Sequence, residues 1–262
     1  RGACPSLSAP METGDGLLVR LQPLQSGVSP AQLAGLAEAA ERFGNGMMEV
    51  TARGSLQIRG LTSSSAGDFA AAVDRLGIAV RSGVPVETGP LAGLDPSEAA
   101  DPRPLAEKIR AGIAASGLAP RLAPKITVIV DGGGALTLGD LIADLRLTAL
   151  GADCWRLAVG GTAARARVVG VVTGETAHAA IVTLLEAIAA KGGAARGRDL
   201  APDELAGALR GLATAEAAET DALAPALPVG RFALKGDRTA LGIALSFGQV
   251  HAARKAATRP AR

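Results

Sequence analysis

The sequence predicts an α+β protein: a ferredoxin-like half domain, then an α/β domain, then the start of a second ferredoxin-like repeat. Three observations predict it. Residues 10–82 read strand, helix, strand, strand, helix, the order of a ferredoxin-like unit. Residues 100–218 hold four apolar strands followed by helices. From residue 228 to 262 the opening pattern of the first unit comes round again, and an internal repeat outweighs any single motif.

Residues 1 to 15 carry Pro5, Pro10, Gly14 and Asp15 without periodicity and read as an irregular arm closing in a turn. GLLVRLQP at 16–23 is a short apolar run with one charge inside it, a strand. Ser29 before Pro30 is an N-cap with proline at the first helical position, and Leu33, Leu36, Ala37, Ala40 and Phe43 recur at helical spacing up to Gly44. MMEVTARGSLQIRG at 47–60 divides at Gly54 into a hairpin. Asp68 to Leu76 places Phe69, Ala72, Val73 and Leu76 on one helical face, stops at Gly77 and leads into an extended GIAV. The stretch Pro85 to Pro104 is marked by proline and glycine and forms the boundary.

A helix at about 104–115 opens the second unit. The strands KITVIVD, ADLRLTA, CWRLAVG and ARVVGVV follow at 125–131, 143–149, 154–160 and 166–172. The triple glycine after Asp131 calls for unusual backbone angles. Glu175 to Ala190 is a helix with Ala177, Ile181, Leu184, Leu185 and Ile188 on its apolar face, and a second helix lies near 202–213. RFALKGDRTALGIALSFGQV, from 231, repeats the glycine turn and apolar strand of METGDGLLVRLQP. The chain is therefore expected to be a duplicated architecture cut off after its second opening strand, with strand 240–246 beside a strand of the first half.

Composition narrows the function. Hydrophobic residues make up 48%, but 56 residues are Ala and 34 are Gly, so the core is shallow and packs backbone against backbone. Aromatics at 2% leave nothing to stack nucleic-acid bases on. A net charge of +2 is too balanced for a phosphate-backbone footprint, although 22 of the 27 cations are Arg. No apolar run approaches the roughly 20 residues that span a bilayer, and RGACPSLSAP has no apolar signal segment. No nucleic-acid or membrane partner is expected, and the location is expected to be cytoplasmic.

The densest polar cluster on an apolar scaffold is Thr51, Arg53, Gln57 and Arg59. These positions have equal parity, so on a hairpin turning at Gly54 and Ser55 their side chains converge on one face. Two guanidiniums, a hydroxyl and an amide suit a polycarboxylate, because Arg binds carboxylate bidentately and keeps its charge. A hairpin with one solvated face is the competing reading. Arg20 sits among Leu18, Val19 and Leu21, where it needs an acid or a ligand. Lys125, one of five lysines, stands between Pro124 and a strand, and is either a ligand or an edge lysine that blocks strand pairing. His178 and His251 have no metal-ligand spacing, and no acid–base dyad emerges.

Six segments carry a family resemblance: CPSLSAPMETGDGLLVRLQP, GNGMMEVTARGSLQIRGL, GPLAGLDPSEAADPRPLAEKIR, LAPKITVIVDGGG, DLRLTALGADCWRLAVGG and the helix after TGETAH. Together they resemble the sulfite and nitrite reductase superfamily and, within it, the precorrin-3B synthases of aerobic cobalamin biosynthesis. The string TxRxxxQxRG at 51–60, followed by PLAGLDP and a PK strand, is the most specific part. The resemblance implies two pseudo-symmetric halves around a tetrapyrrole whose carboxylates are held by basic side chains, and makes the α/β domain one of sulfite/nitrite-reductase type. It places tetrapyrrole or substrate ligands at Arg20, Thr51, Arg53, Gln57 and Lys125, with Arg59 beside them. These cations are expected to line one concave surface with few acids nearby.

The departures favour the synthases. Reductases of the superfamily carry a His where Arg59 stands and a second Lys near Thr127, and often an Arg-Asn pair ahead of the loop that here reads VETGPLAGLD. The resemblance implies a monooxygenase acting on precorrin-3A with dioxygen, a reductant, a [4Fe-4S] cluster and a further iron, and names no electron donor. Cys4 and Cys154 alone cannot supply four thiolates, so the cluster ligands are absent from this chain, and it is expected to be weak or inactive by itself. The alternatives are a sulfite/nitrite reductase fragment with sirohaem and a non-catalytic tetrapyrrole-binding module.

Overall fold

The computed structural model describes residues 5–23, 27–81, 83–214 and 226–252. They form two units, one ending at Arg81 and resuming at Ala244, the other reaching to Ile243.

In the first unit, β1 (Met11–Thr13) and β2 (Gly16–Leu21) form a hairpin, α1 (Pro30–Phe43) follows, and β3 (Met47–Val50) and β4 (Leu56–Leu61) form a second hairpin before α2 (Ala66–Arg75). Ser29 caps α1 as the sequence predicts: its hydroxyl accepts from the Gln32 amide, and the Gln32 side chain accepts from the Ser29 amide, a reciprocal capping box. All pairings are antiparallel, in the order β1, β2, β4, β3 and then the strand Gln249–His251. Val19, Leu21, Met48, Ile58 and Leu61 form the buried face of this sheet, against Leu36 and Ala40 of α1 and Phe69 and Val73 of α2. Leu33 is largely exposed instead of lying on the apolar face of α1. GIAV makes only an isolated bridge, Val80 to Pro23.

The second unit contains β5 (Val86–Glu87), α3 (Arg103–Ser116), β6 (Val128–Asp131), β7 (Leu145–Gly151), β8 (Cys154–Val159), β9 (Arg167–Thr173), α4 (Gly174–Ala190) and α5 (Pro202–Ala208). Its sheet runs in the order β5 to β9, with β5, β6 and β7 parallel and β7, β8 and β9 antiparallel. Val128, Val130, Leu145, Leu147 and Leu157 pack against Ile109 and Ile113 of α3 and Ile181, Leu184 and Ile188 of α4. β6 is buried along its whole length, as a strand flanked by parallel neighbours requires. The helix expected at 202–213 ends at Ala208, because Leu209 leaves helical geometry.

The last stretch corrects an expectation. A hairpin of β10 (Gly230–Leu234) and β11 (Arg238–Gly242) stands as its own two-stranded sheet, held to the second unit by the Lys235 amide donating to the Leu94 carbonyl at 2.8 Å. The strand that joins the first sheet is Gln249–His251, here β12, and not 240–246. The turn at Gly236 gives residues 231–242 a local antiparallel partner, so they pair with one another.

The glycines after Asp131 serve close approach more than unusual angles. Only Gly133 has a left-handed φ, at 77°. A Cβ on Gly132 would lie 2.5 Å from the Ala100 carbonyl oxygen and 2.9 Å from Glu98 Oε1, and one on Gly134 would lie 2.6 Å from Asp95 Oδ2. The loop of residues 89–102 therefore rests directly on this backbone. Gly132→Ala should lower the stability of the second unit by roughly 1–3 kcal/mol, the range for overpacking. Urea unfolding followed through Trp155, which is buried in this unit and is the single tryptophan, measures it, and an unchanged midpoint would refute the crowding argument.

Candidate functional site

Across the face of the first sheet opposite its helices runs a row of directly opposed polar residues, one from each of four strands. Arg20 on β2 faces Gln57 on β4, Gln57 faces Glu49 on β3, and Glu49 faces Gln249 on β12. Residues in direct register share a face, so the pleat fixes this row once the alternate positions Val19, Ile58 and Met48 are buried. Arg20 Nε and Nη2 donate to Gln57 Oε1, at 3.2 and 2.5 Å. Gln57 Nε2 donates to Glu49 Oε2 at 2.9 Å, and Gln249 Nε2 donates to Glu49 Oε1 at 3.1 Å.

Arg59, two residues along β4 from Gln57, is engaged internally. Its Nε and Nη2 donate to the two carboxylate oxygens of Asp15, both at 2.9 Å, and its Nη1 lies 3.4 Å from Glu49 Oε2. Asp15 also accepts from the Thr13 hydroxyl at 2.8 Å and from Asn45 Nδ2 at 3.2 Å. The Arg59 guanidinium, then the Thr13 hydroxyl, hold the Asp15 carboxyl well below the usual carboxylate range, and Arg59 is correspondingly raised. The expectation of few nearby acids is thus overturned, since Asp15 and Glu49 both sit among the cations. Arg20 differs. Among the described residues it forms no ion pair, and its hydrogen-bond partner is the neutral Gln57.

Parity holds for Gln57 and Arg59 and fails for Thr51 and Arg53, because β3 ends at Val50 and residues 51–55 form the hairpin loop. The Thr51 amide donates to the Ser55 carbonyl and the Gly54 amide to the Thr51 carbonyl, both at 2.9 Å, while the Thr51 hydroxyl accepts from the Ser55 amide at 3.1 Å. Arg53 stands exposed at the tip. Glu49, which has the same parity as the predicted set and lies two residues before Thr51, was the residue to include.

Lys125 belongs to the second unit. It is exposed and has φ 71°, a left-handed backbone that costs a non-glycine residue about 1–2 kcal/mol. Its carbonyl accepts from the Thr127 hydroxyl at 3.1 Å and from Arg196 Nη2 at 3.2 Å. Arg196 in turn forks onto the buried Asp144, Nε to Oδ1 at 2.8 Å and Nη2 to Oδ2 at 2.7 Å. The remaining lone pairs of Asp144 accept from the Thr127 amide at 3.0 Å and the Gly197 amide at 3.1 Å. Hydrogen bonding to this carboxylate raises Arg196 above its ordinary value. Sequence reasoning missed both Asp144 and Arg196, which are 52 residues apart and carry no local motif.

Val86 and Glu87 are buried on β5. His178 Nδ1 lies 3.0 Å from the Glu175 carbonyl within α4. Cys154 is partly buried, Cys4 lies outside the described residues, and the described residues gather no group of three or more His, Cys, Asp or Glu that could hold a metal ion. With two cysteines in the sequence, these residues do not fit a [4Fe-4S] cluster.

Residues 9–76 match the family described as the nitrite/sulfite reductase ferredoxin-like half domain, a stretch that holds β1 to β4, α1 and α2. The chain is 44% identical over 259 residues to a precorrin-3B synthase from Sinorhizobium sp, a match that takes in 97% of this chain and 55% of that protein. The chain thus spans about half the length of this relative. Among solved structures, the NirA protein of Mycobacterium tuberculosis superposes with a TM-score of 0.72 at 19% identity, over 92% of this chain and 49% of that one, a likeness of fold.

The Asp15–Arg59 pair yields a pH prediction. A carboxyl whose folded-state value lies below its unfolded one contributes stability above the unfolded value, near 4, and loses it as pH falls. Asp15→Asn should therefore destabilise the protein at pH 7 by less than about 1 kcal/mol, as expected of a partly exposed pair. The gap to the parent protein should shrink between pH 4 and pH 2. Urea unfolding followed by circular dichroism at pH 7, 4 and 2 checks this, and a gap that widened on acidification would contradict it.

Proposed function

We propose that this chain is the tetrapyrrole-holding part of a precorrin-3B synthase-type oxidoreductase, acting in the cytoplasm on precorrin-3A in aerobic cobalamin biosynthesis. Arg20 carries the reading from the geometry: a half-buried guanidinium, steered by a neutral amide and facing away from the sheet's apolar core, with no carboxylate of its own among the described residues. An external carboxylate completes it, and a substrate of the class that the relative's name implies is a tetrapyrrole rich in carboxylates. The resemblance to a precorrin-3B synthase along the chain supports the same ligand.

In this reading Arg20 and Arg53 supply charge to the substrate's carboxylates, and Thr51 and Gln57 supply uncharged hydrogen bonds. Arg59, already paired with Asp15 and Glu49, sets the shape of the face and is a weaker substrate ligand than its position suggested. In an enzyme of the type that the resemblance implies, oxygen insertion at a ring carbon with lactone formation would draw on dioxygen, a reductant and iron, none of which these residues would hold. The ligands for a cluster are not among residues 1–262, so the role of these residues is to bind and orient the tetrapyrrole. No helix of the described residues is long and apolar enough to cross a membrane, and none is needed for this role.

Titration with uroporphyrin, a soluble octacarboxylate tetrapyrrole, tests the binding. Arg20→Ala should weaken it by roughly 1.5–3 kcal/mol, about ten- to a hundredfold in Kd, the range for a hydrogen bond to a charged partner. Unchanged binding would sink the reading. A second prediction concerns metal. The chain purified alone should carry far fewer than four irons and should bind tetrapyrrole without turnover. Iron and acid-labile sulfide analysis checks this, and about four irons per chain would overturn the ligand argument.

A further inference from the structure

The hairpin of β10 and β11 turns apolar side chains outward. Leu241 opposes Arg231 in its ladder, and Val229 and Ile243 follow on the same face by parity. Val229, Leu241 and Ile243 are 55, 66 and 66% exposed, while Phe232, Leu234 and Ala240 of the other face are half-buried. Scattered surface leucines are ordinary, but apolar neighbours aligned on one strand face are the pattern of a surface that another element covers. Two strands are also too few. A hairpin needs a third strand, or a helix on its apolar face, to be stable in water, and among the described residues no strand pairs with the outer edge of β10 or of β11.

The first unit shows what completes such a hairpin. With Gly236-Asp237 set on Gly14-Asp15, Leu241 takes the place of Val19 and Ile243 that of Leu21, each pair equally far beyond its turn. Val19 and Leu21 are fully buried. They pack with α1 and α2, and β2 carries β4 on the edge away from β1. We propose that the face of Val229, Leu241 and Ile243 is the docking surface for a second ferredoxin-like unit, drawn from polypeptide outside residues 1–262, that has the order helix, strand, strand, helix and no opening hairpin of its own. Its strand adds to the outer edge of β11 as β4 adds to β2, and its helices cover Leu241 and Ile243 as α1 and α2 cover Val19 and Leu21. Gly242 has the place of Arg20, so the surface adds packing and no anion ligand, and the inference stands apart from the tetrapyrrole reading. A second copy of this chain is a poor occupant, because its α1, α2 and β4 are already committed to its own first hairpin. The Sinorhizobium synthase has the length to supply the proposed one, since nearly half of that protein lies outside the match.

Co-expression of the full chain with the part of the Sinorhizobium synthase outside the match tests it, the oligomeric state being read by analytical ultracentrifugation. A complex holding one copy of each is the expected result. Leu241→Lys together with Ile243→Lys should raise its Kd at least about a hundredfold, because both charges would be forced into an apolar contact. The same double variant should leave the circular-dichroism melt of the chain alone unchanged, since both side chains are exposed there. Absence of a complex at about 10 µM, or a complex that the double variant holds as tightly as the parent protein, would overturn the proposal. Self-association of the chain that the double variant abolishes would overturn it too, and assign the face to a second copy. A lowered melt of the double variant would show that the chain already covers this face itself, and the proposal would fall with that result.

Discussion

Glu49 is a carboxylate set in the middle of the sheet face opposite α1 and α2, and the polar residues of that face are arranged around it. Its strand puts Met48 into the core, so parity turns the Glu49 side chain to the other face, where it is only 16% exposed among the side chains that donate to it. A carboxylate so placed must be met by donors. Gln57 and Gln249 supply one each and Arg59 stands at 3.4 Å, so strands β4 and β12 are tied to β3 by side chains as well as by their ladders. β12 is three residues long and 200 positions distant, and its pairing register is the one that brings Gln249 opposite Glu49. The polar row and the strand order are therefore two expressions of one constraint.

The second unit solves a different problem in a related way. A chain with 56 alanines and 34 glycines packs its backbone tightly and has few large side chains with which to fix its loops. Buried aspartates take over that task. Asp131 accepts from the amides of Gly133 and Leu138, Asp95 from those of Ser97 and Ala135, and Asp144 from those of Thr127 and Gly197. Each closes a loop by answering backbone donors that burial would otherwise leave unpaired. Arg146 is the counterpart among the cations, buried and donating to the carbonyls of Leu138 and Leu141, and burial lowers its pKa from the usual arginine value. The same loop from Asp131 to Leu141 is thus held at its amides by one buried side chain and at its carbonyls by another.

What could be read from the sequence follows from the range of the interactions involved. α1 was legible, N-cap included, because cap, proline and apolar spacing all lie within fifteen residues, and β6 to β9 were legible because each is a short apolar run bounded by turn residues. Gln57 and Arg59 were legible together because strand parity is local, and Arg20 stood out as a charge inside an apolar run. Their partners were not. Asp15 is 44 residues from Arg59, and nothing in the METGDG turn marks it as an acid destined for a guanidinium. The placement of Thr51 and Arg53 failed for a more instructive reason: equal parity carries over a hairpin only if the strands run to the turn, and here a five-residue loop with its own hydrogen bonds takes both residues off the pleat. The final hairpin misled for the opposite reason, since a strong local turn at Gly236 captured residues that the repeat pattern had assigned to a distant sheet.

The acids also change what kind of anion site this face can be. With Arg20 and Arg59 against Asp15 and Glu49, the four charges cancel, and a face of zero net charge would not draw a polyanion by its overall field. The arrangement, not the sum, creates the asymmetry. Both carboxylates are turned toward Arg59 and the amides of Gln57, Gln249 and Asn45, so their charge is answered within the sheet. Gln57 stands between Glu49 and Arg20, giving its carbonyl oxygen to the guanidinium and its amide nitrogen to the carboxylate, and so keeps the two charges from collapsing into a pair. A glutamate at that position would neutralise Arg20, and an apolar residue would take from Arg20 its hydrogen-bond partner and from Glu49 one of its donors. Gln57, the neutral residue between the two charges, is what keeps one cation available, and the network around Glu49 is what allows it to stay so beside an acid.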